Sequence, residues 1–496
     1  MKKILVANRG EIAVRIMRSA REMGIPTVAV FSDADRLAMH VQYADEAIHI
    51  GQSPSNLSYL HIERIIDACR STGSDAVHPG YGFLSENPAF ARALQAAGIT
   101  LIGPSPEAME MMGNKLSAKA AAMKYNIPLI KGTTEPINDI EEAKRQAKDI
   151  GFPILIKAAA GGGGKGMRVV NSEEAFEAEL KMAVSEAKSA FGDESVFLER
   201  YISAPKHIEI QVLADNFGHT IHLFERECSV QRRHQKVVEE APSAVVDAAL
   251  RERMGKCAVD VARSCNYTGA GTVEFILDEQ MNFYFLEMNT RLQVEHPITE
   301  MITGLDLVKE QIKIARGETL SIKQSDLQIH GHAIELRIYA EDPLNNFLPD
   351  TGMLTTYELP QGPGIRVDNA FRAGMEVPVF YDPMIAKLIA WGNSREEAIE
   401  RMKRAIEEYR ITGIQSTLDF GTFVMNHPDF RSGKYSTNFI NSFQPDAQPA
   451  IPDSEAQVAA ILAYKILTKS VPSISDAAEH SQTQGERRSN WKKNRI

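Results

Sequence analysis

Residues 274–300 read EFILDEQMNFYFLEMNTRLQVEHPITE, and this stretch decides the fold class and the chemistry. Phe275-Ile276-Leu277 and Phe283-Tyr284-Phe285-Leu286 are apolar runs of strand length, and the DEQMN between them predicts a hairpin loop. Side chains on a strand return to the same face at every second residue. Glu287, Asn289, Arg291, Gln293 and Glu295 are therefore expected to share one face for as long as the second strand lasts. Carboxylate and amide oxygens beside a guanidinium suit Mg²⁺ and an anionic substrate. A solvated strand edge would show the same alternation. That alternative is weakened because the polar face lies beside a strongly apolar one and ends in Glu-His-Pro.

Upstream, residues 3–7 (KILVA) read as a buried strand, Glu11–Met23 as an amphipathic helix and Thr27–Phe31 as a second strand. Strand and helix patterns then alternate through residues 47–50, 61–70, 76–78, 88–97 and 100–102, which predicts a parallel, doubly wound sheet. Gly103-Pro104-Ser105-Pro106 punctuates its end. A second unit follows, with a short strand at Ile154–Lys157, a glycine loop, helices around 173–190 and 243–264, and strands near 196–201, 207–213 and 220–227. From His332 the pattern changes to strands with Pro/Gly turns and a helix at Arg395–Tyr409. Beyond residue 445, DAQPAIPDS is linker-like, Glu455–Leu467 is a short helix candidate, and the remainder is polar and expected to be partly disordered.

The 496 residues suggest about three domains. A composition of 44% hydrophobic and 24% charged residues is that of a soluble globular protein. The net charge of −10 argues against a general nucleic-acid binder. Cys69, Cys228, Cys257 and Cys265 show no paired metal-ligand spacing and read as reduced cytosolic thiols. MKKILVANRGE has too short an apolar run for a signal peptide, and no long apolar run predicts a membrane span, so a cytoplasmic location is expected.

Phe-Leu-Glu-Met-Asn-Thr-Arg-Leu-Gln-Val-Glu-His-Pro (285–297) resembles the signature of biotin carboxylases, in the ATP-grasp superfamily. Ala-Asn-Arg-Gly-Glu-Ile-Ala (7–13), His-Pro-Gly-Tyr-Gly-Phe-Leu-Ser-Glu-Asn (78–87) and Arg-Arg-His-Gln-Lys-Val-Val-Glu-Glu-Ala-Pro (232–242) match the family in the same order. The resemblance covers roughly residues 2–445. It implies an α/β and α+β architecture: a Rossmann-like domain over 1–113, a central ATP-grasp domain over 114–331 with a mobile lid at about 131–203, and a C-terminal α+β domain over 332–445. Residues 446–496 would be linker and tail.

The resemblance also assigns residues. Ala159-Ala160-Gly161-Gly162-Gly163-Gly164-Lys165-Gly166-Met167 follows a lysine-bearing strand and matches the family's lid loop. Glycines let backbone N–H groups approach phosphate closely, although the loop is neither a Walker A sequence nor GxGxxG. By glycine content alone it could equally be a mobile surface loop. Lys115, Lys157, Gly163 and Gly164 match positions at the nucleotide phosphates, Glu199, Arg200, Tyr201 and Ile202 the adenine segment, and His207 and His234 positions lining the nucleotide site. Glu274, Glu287 and Asn289 match the Mg²⁺ or Mn²⁺ ligands, with Glu274 and Glu287 also contacting ATP. Lys236, Arg291, Gln293, Val294 and Glu295 match the bicarbonate pocket, with Glu295 as general base; it also reads as an ion-pair partner of Arg291, a role compatible with the first. Tyr81, Gly82 and Arg337 match the biotin side, although Tyr81-Gly82 reads equally as a structural turn and Arg337 alone as a surface ion-pair residue. The 7–13 motif looks structural and is assigned no cofactor.

The implied activity is ATP- and bicarbonate-dependent carboxylation of biotin, through carboxyphosphate, as the first half-reaction of a biotin-dependent carboxylase. No Met-Lys-Met biotinylation motif is present, so the biotin is expected on a separate carrier protein, with separate carboxyltransferase subunits and a homodimeric catalytic chain. The sequence does not select among acetyl-CoA, propionyl-CoA, another acyl-CoA and pyruvate as final acceptor. Two other readings compete with this one. One is a different ATP-grasp ligase, such as a carbamoyl-phosphate synthetase half or a purine-pathway carboxylase or formyltransferase. The other is a non-catalytic scaffold protein of a carboxylase complex. RRHQKVVEEAP together with RLQVEHP favours the biotin branch, and the intact ionisable set argues against a scaffold.

Overall fold

Strand β1 (Ile4–Val6) is buried throughout, as an apolar run must be when both faces of a parallel sheet are covered. It pairs in parallel with β2 (Thr27–Ser32) and β4 (Ala76–His78), while β3 (Glu46–Gly51) and β5 (Thr100–Leu101) add the edges in the order β3-β2-β1-β4-β5. This is the predicted Rossmann-like sheet. The helix Gly10–Glu22 presents Ile12, Ala13, Ile16, Met17 and Ala20 to it. In the computed structural model, residues 1–443 are described apart from Thr134, Asn138, 159–166, Asp193 and His234, together with residues 458 and 460–462.

A three-stranded antiparallel sheet, β6 (Ile154–Ala158), β7 (Met167–Val170) and β8 (Val196–Arg200), carries the helices Ile140–Ile150 and Glu173–Phe191. It has its own apolar core around Ile154, Ile156, Phe176, Leu180 and Leu198. An eight-stranded antiparallel sheet positions the site. From one edge it runs β13 (Phe283–Asn289), β12 (Gly269–Leu277), β9 (Lys206–Ala214), β10 (Thr220–Arg232), β11 (Gln235–Ala241) and β14 (His332–Tyr339), then the strands Met384–Gly392 and Ile365–Asn369. The sheet therefore continues without a break past residue 331, where the sequence pattern changes. The helix His296–Thr303 packs Ile298 and Ile302 against Ala241, Ala333 and Ile389.

The predicted alternation along 287–295 ends early. β13 stops at Asn289, Thr290–Val294 form a connecting loop, and Glu295 occupies the N-cap position of the next helix, without a capping bond from its side chain. The second predicted helix of the central unit begins at Ala248 rather than 243, with Asp247 accepting a hydrogen bond from the Leu250 N–H as its cap. Residues 458 and 460–462 are helical, within the candidate at 455–467; the remaining expectations for the tail lie outside the described residues.

Candidate active site

Register places a row of charge across the large sheet. Glu287 lies opposite Glu274, Glu274 opposite Glu209, and Glu209 opposite Arg226. Directly opposed residues of antiparallel strands project from the same face, so neighbouring members of the row meet. Arg226 is fully buried, donating to Glu209 Oε1 at 2.6 Å, Gln211 Oε1 at 2.7 Å, Thr299 Oγ1 at 2.8 Å and Thr272 Oγ1 at 3.0 Å.

Lys236, reaching over from β11, stands at the centre. Its Nζ is 2.5 Å from Glu209 Oε2, 3.1 Å from Glu274 Oε1 and 2.7 Å from Glu295 Oε1. Burial alone would favour a neutral amine, but the three carboxylates outweigh it and hold the ammonium pKa well above its ordinary value. Glu295 is fully buried, and Arg337 Nη2 donates to its Oε2 at 2.9 Å. Burial opposes ionisation of Glu295, yet Lys236, Arg337 and Arg226 prevail and keep its pKa well below the usual carboxylate range.

Arg337 also donates from Nε to Glu239 Oε1 at 2.6 Å. Burial pushes Glu239 up to about 7 despite Arg337. Arg291 donates to Glu86 Oε2 at 2.9 Å, to Gln293 Oε1 at 3.0 Å and to Asn289 Oδ1 at 3.3 Å. Its partner is thus Glu86, not the Glu295 that the sequence offers. The Nε2 of buried Gln293 has no hydrogen-bond partner among the described residues, so it is a free donor beside these cations. Lys236, Arg291, Gln293 and Glu295 suit a small planar oxyanion with a proton to lose.

The metal candidates lie beside one another on neighbouring strands. Asn289 Nδ2 is 2.8 Å from Glu274 Oε1, His207 Nε2 is 3.0 Å from Glu274 Oε2, and Glu287 faces Glu274 in register. Two carboxylates and an amide leave room for phosphate oxygens and water, which fits Mg²⁺. Lys157, on β6, ion-pairs with Glu199 on β8, and Lys119 takes the other oxygen of that carboxylate. Burial opposes the charge on Glu199, but the two lysines lower its pKa. Arg200 is exposed; Tyr201 and Ile202 follow it, half-buried. Lys115 opens the helix Lys115–Lys124, but its side chain, like Gly163, Gly164 and His234, lies outside the described residues. Gly82 has φ +67°, and Tyr81 between Gly80 and Gly82 donates its hydroxyl to Glu11.

The sequence reading missed Glu86, Lys119, Glu209, Arg226 and Glu239. Three of them had a signal: Glu86 and Glu239 lie inside the 78–87 and 232–242 motifs, and Glu209, like Gln211, alternates with apolar residues in IEIQV, an inward polar face within an apolar strand. Lys119 and Arg226 are recognisable only from their partners.

Family models match the chain in three consecutive blocks: the biotin carboxylase N-terminal domain over 1–109, the carbamoyl-phosphate synthase L chain ATP binding domain over 114–323, and the biotin carboxylase C-terminal domain over 335–442. The chain is 51% identical over 444 residues to biotin carboxylase 1 of Bacillus subtilis, covering 89% of this chain and 99% of that one. The chain belongs to the biotin carboxylase family. It is also 52% identical over 438 residues to the biotin carboxylase of a Nostoc species, covering 88% and 98% of the two chains. Among solved structures, the biotin carboxylase domain dimer of Hydrogenobacter thermophilus 2-oxoglutarate carboxylase, in complex with MgADP, ADP and bicarbonate, matches with a TM-score of 0.85 and 49% identity over 89% of this chain and 97% of that one. The biotin carboxylase fold therefore accounts for the parallel N-terminal sheet and the antiparallel site sheet together. No helix among the described residues is long and apolar enough to cross a membrane.

Proposed function

We propose that the cluster around Lys236 carries out ATP- and bicarbonate-dependent carboxylation of biotin through carboxyphosphate, the first half-reaction of a biotin-dependent carboxylase. The observation that carries this reading is the double hold on Glu295: Lys236 on one oxygen, Arg337 on the other.

Bicarbonate is held by Lys236, Arg291, the Gln293 amide N–H and the backbone at Val294, and Glu295 takes its proton. A carboxylate held so far down is a weak base. Glu295 regains basicity when the bound anion draws hydrogen bonds of Lys236 and Arg337 away from it. Arg337 then faces the biotin ureido oxygen, with Tyr81 and Gly82 bordering that side, and stabilises the enolate charge. Lys115, Lys157, Gly163, Gly164, His207 and His234 serve the nucleotide phosphates and their surroundings; Glu199, Arg200, Tyr201 and Ile202 receive the adenine. Glu274, Glu287 and Asn289 would hold Mg²⁺, which offsets phosphate charge when bound.

The working domain limits are 1–113, 114–331 and 332–445, with residues 131–203 as a lid over the nucleotide; the separate apolar core of β6–β8 supports that role. The partners are a biotin carboxyl carrier protein and carboxyltransferase subunits, the catalytic chain is a homodimer, and the location is cytoplasmic.

The two biotin carboxylase blocks on either side of the ATP-binding block disfavour a carbamoyl-phosphate synthetase or purine-pathway ligase. The test is ATP hydrolysis with Mg²⁺, with and without bicarbonate and free biotin. A rate that requires bicarbonate and rises with biotin supports the reading. A rate indifferent to bicarbonate overturns it.

A further inference from the structure

We propose that Glu11 and Lys387 are positioning residues: a buried pair that ties Tyr81, on the biotin side, to the bicarbonate turn at Val294. The inference rests on the biotin carboxylase reading above and adds to it a role for the 7–13 motif.

Lys387 lies in the middle of the strand Met384–Gly392, opposite Arg337 in register, and is fully buried. Its Nζ donates to the carbonyl of Val294 at 2.8 Å and lies 3.2 Å from Glu11 Oε1. That same Glu11 oxygen accepts the Tyr81 hydroxyl. Three residues earlier, Asn8 donates from Nδ2 to the carbonyls of Pro79 at 2.7 Å and Tyr81 at 2.8 Å. The 7–13 motif therefore grips both the backbone and the hydroxyl of Tyr81. At its far end the same chain of contacts holds the carbonyl one residue before Glu295.

Stability alone does not call for this arrangement. The attraction within a buried Lys–Glu pair is offset by the desolvation of both charges, and apolar pairs of equal volume often hold a fold as well. The direct contact between the two charges is also the longest of the three, so their shorter bonds go to groups flanking the site. Asp368 Oδ2, 4.0 Å from Lys387, is already paired with Arg366. Glu11 Oε2 has no hydrogen-bond partner among the described residues. Burial raises the Glu11 pKa, and Lys387 opposes that rise.

The two ends should separate kinetically. Glu11→Gln weakens the hold on the Tyr81 hydroxyl and leaves the bond from Lys387 to Val294. Lys387→Met releases the Val294 carbonyl. Misplacing a reacting group by about 1 Å costs up to about a hundredfold. In the full chain, with free biotin, bicarbonate and ATP varied in turn, Glu11→Gln is expected to raise KM for biotin on the order of tenfold and KM for bicarbonate less than about twofold. Lys387→Met is expected to raise KM for bicarbonate on the order of tenfold, with KM for ATP unchanged. Tyr81→Phe breaks the first contact from its other end without removing a charge, so it should reproduce the biotin effect of Glu11→Gln and keeps the test open if Lys387→Met does not fold. Folded Glu11→Gln and Tyr81→Phe variants whose biotin-to-bicarbonate KM ratio equals the parent's overturn the proposal. A parent lacking bicarbonate-dependent ATPase overturns the functional reading instead.

Discussion

Arg337 and Glu295 are joined by a hydrogen-bonded ion pair, Nη2 to Oε2 at 2.9 Å. The proposed base for bicarbonate and the proposed enolate stabiliser for biotin are thus one electrostatic unit. Lys236 donates to the other oxygen of Glu295, a contact that does not depend on the Arg337 side chain.

Arg337→Ala is accordingly expected to separate the two half-reactions unequally. Loss of a preorganised oxyanion donor is worth about 2.7–4 kcal/mol, so biotin carboxylation falls a hundredfold or more. Bicarbonate-dependent ATPase falls less, because Glu295 is still held by Lys236. Both rates measured on one preparation check this; equal losses would place Arg337 at the bicarbonate or phosphate site.

Lys236→Met strips the shared cation from Glu209, Glu274 and Glu295. Breaking a buried charge pair on one side costs about 3–5 kcal/mol. Denaturant unfolding should report a loss of that order, partly recovered by adding Glu209→Gln. Parent-like stability would mean that Arg226, Arg337 and His207 hold the three carboxylates without Lys236.

Glu287→Gln keeps the shape of the strand and removes one negative charge from the Mg²⁺ set. The Mg²⁺ concentration for half-maximal ATPase should rise, and activity at limiting Mg²⁺ should fall. An unchanged Mg²⁺ dependence would exclude Glu287 as a ligand.

Glu239 supplies a pH test. Its pKa is raised from 4.5 to about 7, with burial as the first cause. Between those values the folded chain binds more protons at this site than the unfolded chain. The contribution is therefore fully present below pH 4.5 and is lost as pH rises toward 7. Glu239→Gln lacks this loss. The stability difference, variant minus parent, should shift in favour of the variant from pH 4.5 to 7, measured by unfolding at each pH. A flat difference would show that Glu239 titrates normally.

Glu274, Glu287 and Asn289 are readable as one polar set from a strand hairpin and its alternation. Alternation alone does not bring Arg291 or Glu295 to the site, since β13 ends at Asn289. A connecting loop and a helix start place them instead, and that start is held because Ile298 and Ile302 bury against the sheet. Arg291 reads in sequence as the neighbour of Glu295, but in the fold it takes Glu86 from the 78–87 motif, 205 positions away.

The sequence by itself determined the parallel N-terminal unit, the hairpin, the ordered motifs and the ionisable residue types, because strand and helix periodicity and turn chemistry are local properties of the chain. Which charges meet was decided only by tertiary structure. Lys236 faces Glu209, Glu274 and Glu295, and Lys387 bridges Glu11 and Val294, because the register of an eight-stranded sheet and the packing of a helix against it bring distant segments within hydrogen-bond reach. The pKa of a buried group follows from those partners and from lost solvent, neither of which is encoded at its own position.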